Sequence, residues 1–350
     1  MSLEQLEALD MTRTFEATHR FEDLGMFHVP FDHLTESNST EASLKAMAER
    51  GGKVVLAGPS GAGKSSVIAS VLGPLAENLS EEIVPLRIPV AALNAETATE
   101  PRAFAQHLVR TVIRYSTEIL SEDERQEMRR AAADATSTKE AERARRWTVG
   151  APKLIMDGGF ASEVKSGAEE LNEELTAGGA IDAVARLVAI FRAHGREPYF
   201  VIDDSDRWIR IEGTDLLEVA NAFFRRIVPM LAREIGCGFV FAAHDEYLTL
   251  ESYRSARELC SQVIHLPTPP HPGDAIFAIL DRRIGLAGVN AMSAELFDQG
   301  AIDALVERYV DNRSLRGMLS TVDRATQLAC TERIAPITSD LIQTALADLA

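Results

Sequence analysis

The chain of 350 residues has few cysteines, no excess of basic residues and no long apolar run. Its three cysteines, Cys237, Cys260 and Cys330, are far apart and form no C-x-x-C pair, so neither a disulfide framework nor a zinc site is indicated. No uncharged apolar stretch reaches the roughly 18 residues of a membrane span, because Arg233 and Glu234 interrupt the best candidate. Acidic residues near the N-terminus are untypical of a signal or transit peptide, and a cytoplasmic location is expected by default.

The net charge of −17 reflects 53 acidic against 36 basic residues. Such a surface repels polyanions at long range, which argues against unspecific coating of nucleic acid but leaves a local basic patch open. With 46% hydrophobic and 25% charged residues, the composition is that of an ordinary globular protein. The length allows one large domain or two ordinary ones.

One motif carries most of the functional information. Residues Gly58–Ser65 read Gly-Pro-Ser-Gly-Ala-Gly-Lys-Ser, a complete G-x-x-x-x-G-K-[ST] phosphate loop. An apolar run, Val54–Ala57, precedes it and a helical pattern follows it, which is the strand–loop–helix setting that the motif requires. The alternative, a glycine-rich turn before an ordinary helix, is disfavoured by this setting.

The chemistry explains the residue types in the loop. Glycines let successive backbone N–H groups curl around a phosphate, and the helix N-terminus adds partial positive charge. Lys64 is expected to neutralise the β- and γ-phosphates, and the Ser65 hydroxyl to bind Mg²⁺. The predicted nucleotide-binding residues are Gly58, Pro59, Ser60, Gly61, Ala62, Gly63, Lys64, Ser65 and Ser66.

Strand and helix patterns alternate along the first 267 residues and predict an α/β fold with a doubly wound parallel sheet. The predicted strands are 53–57, 83–90, 199–202, 238–244 and 262–267, the second near an edge because of its prolines. The predicted helices are 42–50, 101–120, 181–194 and 216–233, besides the one after the phosphate loop. Beyond Pro272 the pattern is all helical.

Four regions follow from these patterns. Residues 1–35 are predicted to form an N-terminal arm, 36–270 a P-loop NTPase core and 271–350 a C-terminal helical lid. Residues of about 121–179, where arginines alternate with glutamates, are predicted to be a helical insertion in the core. A solvated face is favoured for these arginines, while contact with phosphate or a partner stays open.

Two acids follow the third predicted strand. Asp203 and Asp204 would lie at the carboxyl edge of the sheet, where ligands bind in open α/β folds. Asp203 is predicted to hold Mg²⁺ through water, and Asp204 to orient or deprotonate the attacking water. A strand-end turn is the alternative. His244 ends the next strand and is predicted either to sense the γ-phosphate or to be structural.

These features resemble the ASCE branch of P-loop NTPases, and within it AAA+ and STAND ATPases of the initiator, or origin-recognition-like, type. The resemblance rests on the phosphate loop, on the strand ending in Asp-Asp, and on the polar residue that ends the next strand. By this resemblance Arg254 is an arginine-finger candidate, with Arg257 as substitute, and Arg316 is a sensor-2 candidate. Ala325, nine residues later, matches the packing alanine of the family's lid.

The resemblance implies an ATP hydrolase that uses ATP and Mg²⁺ and acts as a conformational switch on a protein partner or within a homo-oligomer. Hydrolysis is expected to be slow, because Asp204 is one methylene shorter than the glutamate that is usual in the family. The alternatives are a DNA-associated ATPase of initiator, transposition-regulator or defence type, and a P-loop kinase. No membrane partner is expected.

Overall fold

We describe the fold from a computed structural model of the chain. The structure describes residues 2–35, 40–77, 82–89, 93–119, 177–203, 205 and 216–349. Two sequence predictions lie outside these ranges, Asp204 and all but the last three residues of the 121–179 insertion.

Five strands and a larger set of helices make up the described part of the chain. The strands are β1 Lys53–Ala57, β2 Ile83–Pro89, β3 Glu197–Asp203, β4 Gly238–Ala243 and β5 Gln262–His265. The first helices are α1 Leu3–Met11, α2 Phe21–Phe27, α3 Phe31–Leu34, α4 Thr40–Glu49, α5 Lys64–Glu77, α6 Ala95–Thr99, α7 Pro101–Ile119 and α8 Ala177–Ala193. The later helices are α9 Leu216–Ala222, α10 Glu251–Arg257, α11 Pro272–Leu286, α12 Ser293–Leu296, α13 Gln299–Asn312, α14 Leu315–Glu332 and α15 Ser339–Asp348. None of these helices is both long and apolar enough to cross a membrane.

The described strands form one five-stranded sheet in the order β2-β3-β4-β1-β5. The β2–β3 and β3–β4 pairs are parallel, with Ile83 opposite Glu197 and Tyr199 opposite Gly238. Helices connect consecutive strands, so the predicted α/β fold is confirmed. β2 lies at an edge of the sheet, as its prolines predicted. Proline has no N–H to donate to a neighbouring strand, so it is tolerated on an edge strand that has a partner on one side only.

By its packing the chain divides into two compact units. The first comprises Met1–Ala46, Leu56–Pro74 and Ile264–Ala350, and the second comprises Met47–Val55 and Leu75–Val263. The region limits predicted from the sequence stay a prediction. In the second unit, α7 and α8 pack together against β2 and β3. Its core contains several buried phenylalanines, and the Phe223 and Phe241 rings stack at 5.0 Å.

The predicted helix 216–233 differs in one respect from the helix observed. After α9 it continues as two π turns, Phe223–Ile227 and Met230–Ile235, which flank Pro229. Proline has no N–H to donate and its ring crowds the preceding turn, so the helix widens around it. The helix ends at Gly236, whose φ of 66° permits the left-handed C-cap.

In the first unit, the last 80 residues are helical as predicted. α14 packs against α13 and α15, and Ala325 on α14 is fully buried. The loop before α15 adds one isolated parallel bridge, between Phe297 and Ile337. Thr338 is the N-cap residue of α15.

The N-terminal arm belongs to the same unit and packs on these helices. α1 contacts α14, and α2 contacts α11. The buried Arg283 of α11 holds the arm: its Nη1 donates to the carbonyl oxygens of Thr14 and Glu16 at 3.0 Å, and lies 3.2 Å from His19 Nε2. Its guanidinium lies 4.7 Å above the Phe27 ring, a cation–π contact. Arg283 is therefore a buried polar anchor between α11 and the arm, beside the packing of the helices themselves.

Candidate nucleotide-binding site

The phosphate-loop motif forms the turn between β1 and α5. β1 ends at Ala57 and α5 begins at Lys64. Gly61 and Gly63 have φ angles of +77° and +100°, which residues with a side chain rarely adopt. A Cβ atom on Gly61 would also overlap the hydroxyl oxygen of Ser314. Both the backbone conformation and the close packing therefore require glycine at position 61.

Lys64 is almost completely buried against the loop. Its Nζ donates to the carbonyl oxygens of Gly58 at 2.7 Å and Pro59 at 2.9 Å. A phosphate oxygen is a stronger acceptor for an ammonium group than a neutral carbonyl, because the hydrogen bond is then assisted by charge on both sides. The loop, the ammonium group and the N-terminus of the 14-residue α5 together can therefore bind an anion.

The first turn of α14 lies on this loop, within the same unit. The N–H of Arg316 donates to the carbonyl oxygen of Gly61 at 3.3 Å. Ser314 is the N-cap of α14, and its Oγ accepts from the Gly317 N–H at 3.0 Å. The structure thus brings Arg316, the sensor-2 candidate, next to the phosphate loop through its backbone, and leaves its side chain exposed.

Ser66 contacts the N-terminal arm. Its hydroxyl lies 3.1 Å from His28 Nδ1 and donates to the Leu24 carbonyl oxygen at 3.4 Å. Glu41 accepts from His28 Nε2 at 2.8 Å and from the Phe31 N–H at 2.9 Å. Burial raises the pKa of the Glu41 carboxyl, but the hydrogen bonds from His28 and Phe31 outweigh it, so the pKa is lowered and the group is ionised at neutral pH.

The sequence did not predict these contacts. Ser66 was predicted to bind nucleotide, whereas its hydroxyl is engaged by His28 and Leu24 in the structure, and its nucleotide role stays a prediction. His28 lies 38 residues before Ser66 in a segment without clean periodicity, and no motif indicated the contact.

The first acid lies at the expected end of β3. Asp203 is the last residue of the strand, is 1% exposed and pairs with Pro89 of β2. Ser205, which follows Asp204 in the chain, is also buried, and its Oγ donates to the Ala242 carbonyl oxygen of β4. A buried carboxylate at the carboxyl end of a strand is a suitable oxygen ligand for a hard cation or its bound water.

His244 follows β4, so the neighbouring strands β3 and β4 bring Asp203 and His244 to the same sheet edge. His244 is the N-cap of the 3-10 helix Asp245–Thr249, and its Nδ1 accepts from the Glu246 N–H at 3.2 Å. In the neutral ring the proton is then on Nε2, which can donate to another group. The capping contact supports the structural role, and the Nε2–H leaves the sensing role open.

Arg254 and Arg257 lie on α10, and both side chains are exposed. The opposite face of α10 is buried: the hydroxyl of Ser252 donates to Asn221 Oδ1 at 2.6 Å, and Tyr253 packs against Phe224 at 5.3 Å. An arginine finger must be exposed to reach a neighbouring subunit, so this placement is compatible with the predicted role of Arg254.

The donor chemistry fits ATP and Mg²⁺. Ser65, the second residue of α5, offers a hydroxyl, and Asp203 a carboxylate; both are hard oxygen ligands of the type that Mg²⁺ prefers. In the described part of the chain no three His, Cys, Asp or Glu residues cluster as a metal cage.

Comparisons with known proteins place the fold. The structure is similar to the ORC1 protein of Aeropyrum pernix in complex with DNA, with 15% identity, a TM-score of 0.50, and coverage of 88% of this chain and 64% of that one. It is also similar to the Aeropyrum pernix ORC2 protein in ADPNP–ADP complexes (12% identity, TM-score 0.47, 88% and 66% coverage). A third similar structure is Drosophila ORC bound to DNA, with 15% identity, a TM-score of 0.43, and coverage of 95% of this chain and 67% of that one. The chain spans less than two thirds of the length of the first two proteins.

At the level of sequence, no curated protein matches the chain. The family model described as "AAA ATPase domain" matches residues 41–222, which is more than half of the chain and contains the phosphate loop and Asp203. The chain therefore belongs to the AAA ATPase domain family.

Proposed function

We propose that the protein is a Mg²⁺-dependent ATPase whose nucleotide state changes the position of its C-terminal helices, and which thereby acts as a switch on a protein partner. The family supports ATP as the ligand. The observation that carries the proposal is the hydrogen bond from the Arg316 N–H to the Gly61 carbonyl oxygen, which joins α14 to the loop expected to hold phosphate.

A phosphate bound at the loop changes the surroundings of α14 directly. In this proposal the phosphate binds where Lys64 and the loop N–H groups lie, next to the first turn of α14. The exposed guanidinium of Arg316 is in the same turn and adds positive charge near this anion. Loss of the γ-phosphate would remove that attraction, so the position of α14 would depend on whether ATP or ADP is bound.

The remaining residues have separate roles in the proposal. Lys64 neutralises phosphate charge, Ser65 and Asp203 hold Mg²⁺, Asp204 orients the attacking water, and His244 donates from Nε2 toward the γ-phosphate. Bound Mg²⁺ would supply charge neutralisation on the β- and γ-phosphate oxygens.

An oligomer would complete this site. Arg254 is exposed on α10 and would reach the nucleotide of a neighbouring subunit as an arginine finger. Such a residue accelerates phosphoryl transfer by about 10³–10⁵. Turnover per subunit is therefore expected to rise with protein concentration, and Arg254→Ala should remove this rise without weakening ATP binding.

The test measures phosphate release and particle mass on the same samples, for wild type and for Asp203→Asn. We expect slow release of phosphate without any acceptor, a larger particle in ATP than in ADP, and loss of turnover in Asp203→Asn. Phosphate release that required an added acceptor would instead indicate a kinase. A particle mass that is the same in ATP and in ADP would contradict the switch.

A second candidate is a DNA-associated ATPase of initiator, transposition-regulator or defence type. The fold similarity to the Aeropyrum pernix ORC1 protein, solved with DNA, favours it, and the net charge of −17 counts against it. DNA that stimulates phosphate release at low salt, with a stimulation that fades as salt is added, would support this function. A rate that is the same with and without DNA would exclude it.

A further inference from the structure

We propose that Tyr247 is a positioning residue for the acid pair. Its buried hydroxyl fixes the chain just after Asp203-Asp204 to the turn that begins at His244. The inference rests on the proposed ATPase function and deepens it, because it concerns how the acids of that function are held in place.

A hydrogen bond joins Ser205, two residues after the end of β3, to the 3-10 helix that follows β4. The hydroxyl of Tyr247 donates to the carbonyl oxygen of Ser205 at 2.9 Å. Tyr247 is fully buried and Ser205 is 1% exposed, so water cannot replace this bond easily. Ser205 is held a second time, since its own hydroxyl donates to the carbonyl oxygen of Ala242, the next-to-last residue of β4.

The Tyr247 side chain is itself held in place from the side of β4. It lies in the 3-10 helix Asp245–Thr249, which His244 caps. Its ring packs edge-to-face against Phe224 at 6.3 Å and against the His244 ring at 6.1 Å. The hydroxyl is therefore a rigid donor, and it links the 3-10 helix capped by His244 to Ser205.

This arrangement fixes both chain neighbours of Asp204. Asp203 is buried in the sheet, and Ser205 is anchored by Tyr247 and Ala242. An attacking water must be held near its productive position, and a displacement of about 1 Å in such a group can cost about a hundredfold in rate. Loss of the Tyr247 hydroxyl would leave the Ser205 carbonyl buried without this donor and allow Ser205 to shift.

The chain offers a matched control at the other end of the same two strands. Tyr199, near the start of β3, is also fully buried, and its hydroxyl donates to the carbonyl oxygen of Phe239 in β4 at 3.0 Å. The bond type and the burial are the same, but the bond is distant in the strands from the acids. Tyr199→Phe therefore reports the cost of losing a buried tyrosine hydrogen bond without any effect on the acid pair.

The experiment compares wild type, Tyr247→Phe, Ser205→Ala and Tyr199→Phe by kcat and KM for ATP, by equilibrium binding of a fluorescent ATP analogue, and by thermal unfolding. We expect Tyr247→Phe and Ser205→Ala to lower kcat by about tenfold or more and to change KM and analogue affinity less than about twofold. Tyr199→Phe should lower the melting temperature by a similar amount and keep the wild-type kcat.

The outcomes separate the two claims. If the wild type hydrolyses ATP and Tyr247→Phe keeps its kcat, the positioning role is wrong while the ATPase function stands. Equal losses of kcat in Tyr247→Phe and Tyr199→Phe would also overturn it, since the effect would then be a general loss of stability. If Tyr247→Phe does not fold, Ser205→Ala decides in the same way. A wild type without ATP hydrolysis would overturn the proposed function and this inference together.

Discussion

The backbone N–H of Arg316 donates to the carbonyl oxygen of Gly61 at 3.3 Å, so helix α14 begins on the phosphate loop. The two residues are 255 positions apart in the chain, and both belong to the first compact unit. The Cβ of Arg316 would lie 3.1 Å from a Cβ placed on Gly61. The contact leaves no room for a side chain at position 61, which makes this glycine a sensitive probe of the site.

Gly61→Ala is expected to weaken ATP binding by at least tenfold and to lower the free energy of unfolding. Alanine at φ +77° costs about 1–2 kcal/mol, and its Cβ overlaps the Ser314 hydroxyl. Titration with a fluorescent ATP analogue and urea unfolding measure the two effects.

Gly285→Ala is the control for this change. Gly285 lies in the last turn of α11, and a Cβ there would meet nothing within 4 Å. The same substitution should therefore stabilise the protein by about 0.5–1 kcal/mol and leave ATP binding unchanged. Unchanged ATP affinity in Gly61→Ala would contradict the proposed phosphate-binding loop.

Arg283→Met is expected to destabilise the first unit by about 2–3 kcal/mol in urea unfolding, because two hydrogen bonds to carbonyl oxygens and one cation–π contact are lost. Burial lowers the pKa of Arg283 to about 10, which still leaves it charged at neutral pH.

The neighbouring Arg282 provides the comparison for that variant. It is exposed, and its Nε donates to the Met26 carbonyl oxygen at 2.9 Å. Arg282→Met should cost less than about 1 kcal/mol, as is typical of exposed contacts. Equal costs for the two variants would show that Arg283 does not hold the arm.

His107 on α7 predicts how stability depends on pH. Burial, with a smaller effect from the Arg110 charge, lowers its pKa to about 4 from 6.5. The unfolded chain therefore binds a proton that the folded chain does not between pH 6.5 and 4, and stability falls as the pH drops through this window. Well above pH 6.5 the protonation of His107 does not affect the free energy of unfolding, because the side chain is neutral in both the folded and the unfolded chain.

We therefore expect the stability of wild type relative to His107→Gln to fall by about 2–3 kcal/mol between pH 7.5 and 4.5, measured by urea unfolding. A constant difference between wild type and His107→Gln would show that His107 is accessible to protons in the folded state.

The sequence predicted the sheet well because its strands are continuous apolar runs separated by helical patterns. β1 and β4, for example, are buried along nearly their whole length, and such runs are recognisable without tertiary information. The helices of the arm were not predicted. Their partners α11 and α14 lie more than 240 residues away, so the burial that stabilises them is invisible in the local pattern.

In the candidate site, too, local features could be predicted from the sequence and long-range contacts could not. The phosphate loop is a local motif, and the positive φ angles of Gly61 and Gly63 explain its glycines. The His28–Ser66 and Tyr247–Ser205 contacts join residues 38 and 42 positions apart, and depend on how strands and arm are arranged in space. No spacing rule predicts such contacts, although the motifs did indicate Ser66 itself and Asp204, the chain neighbour of Ser205.

The most direct test of the nucleotide site is phosphate release from ATP by wild type, Lys64→Ala and Lys45→Ala at matched concentrations. Lys64 is buried against the loop and donates to Gly58 and Pro59, whereas Lys45 is exposed on α4. We predict Mg²⁺-dependent release in wild type and in Lys45→Ala, and a loss of at least about a hundredfold in Lys64→Ala. Release at the wild-type rate by Lys64→Ala would contradict the proposal that this loop binds and turns over ATP.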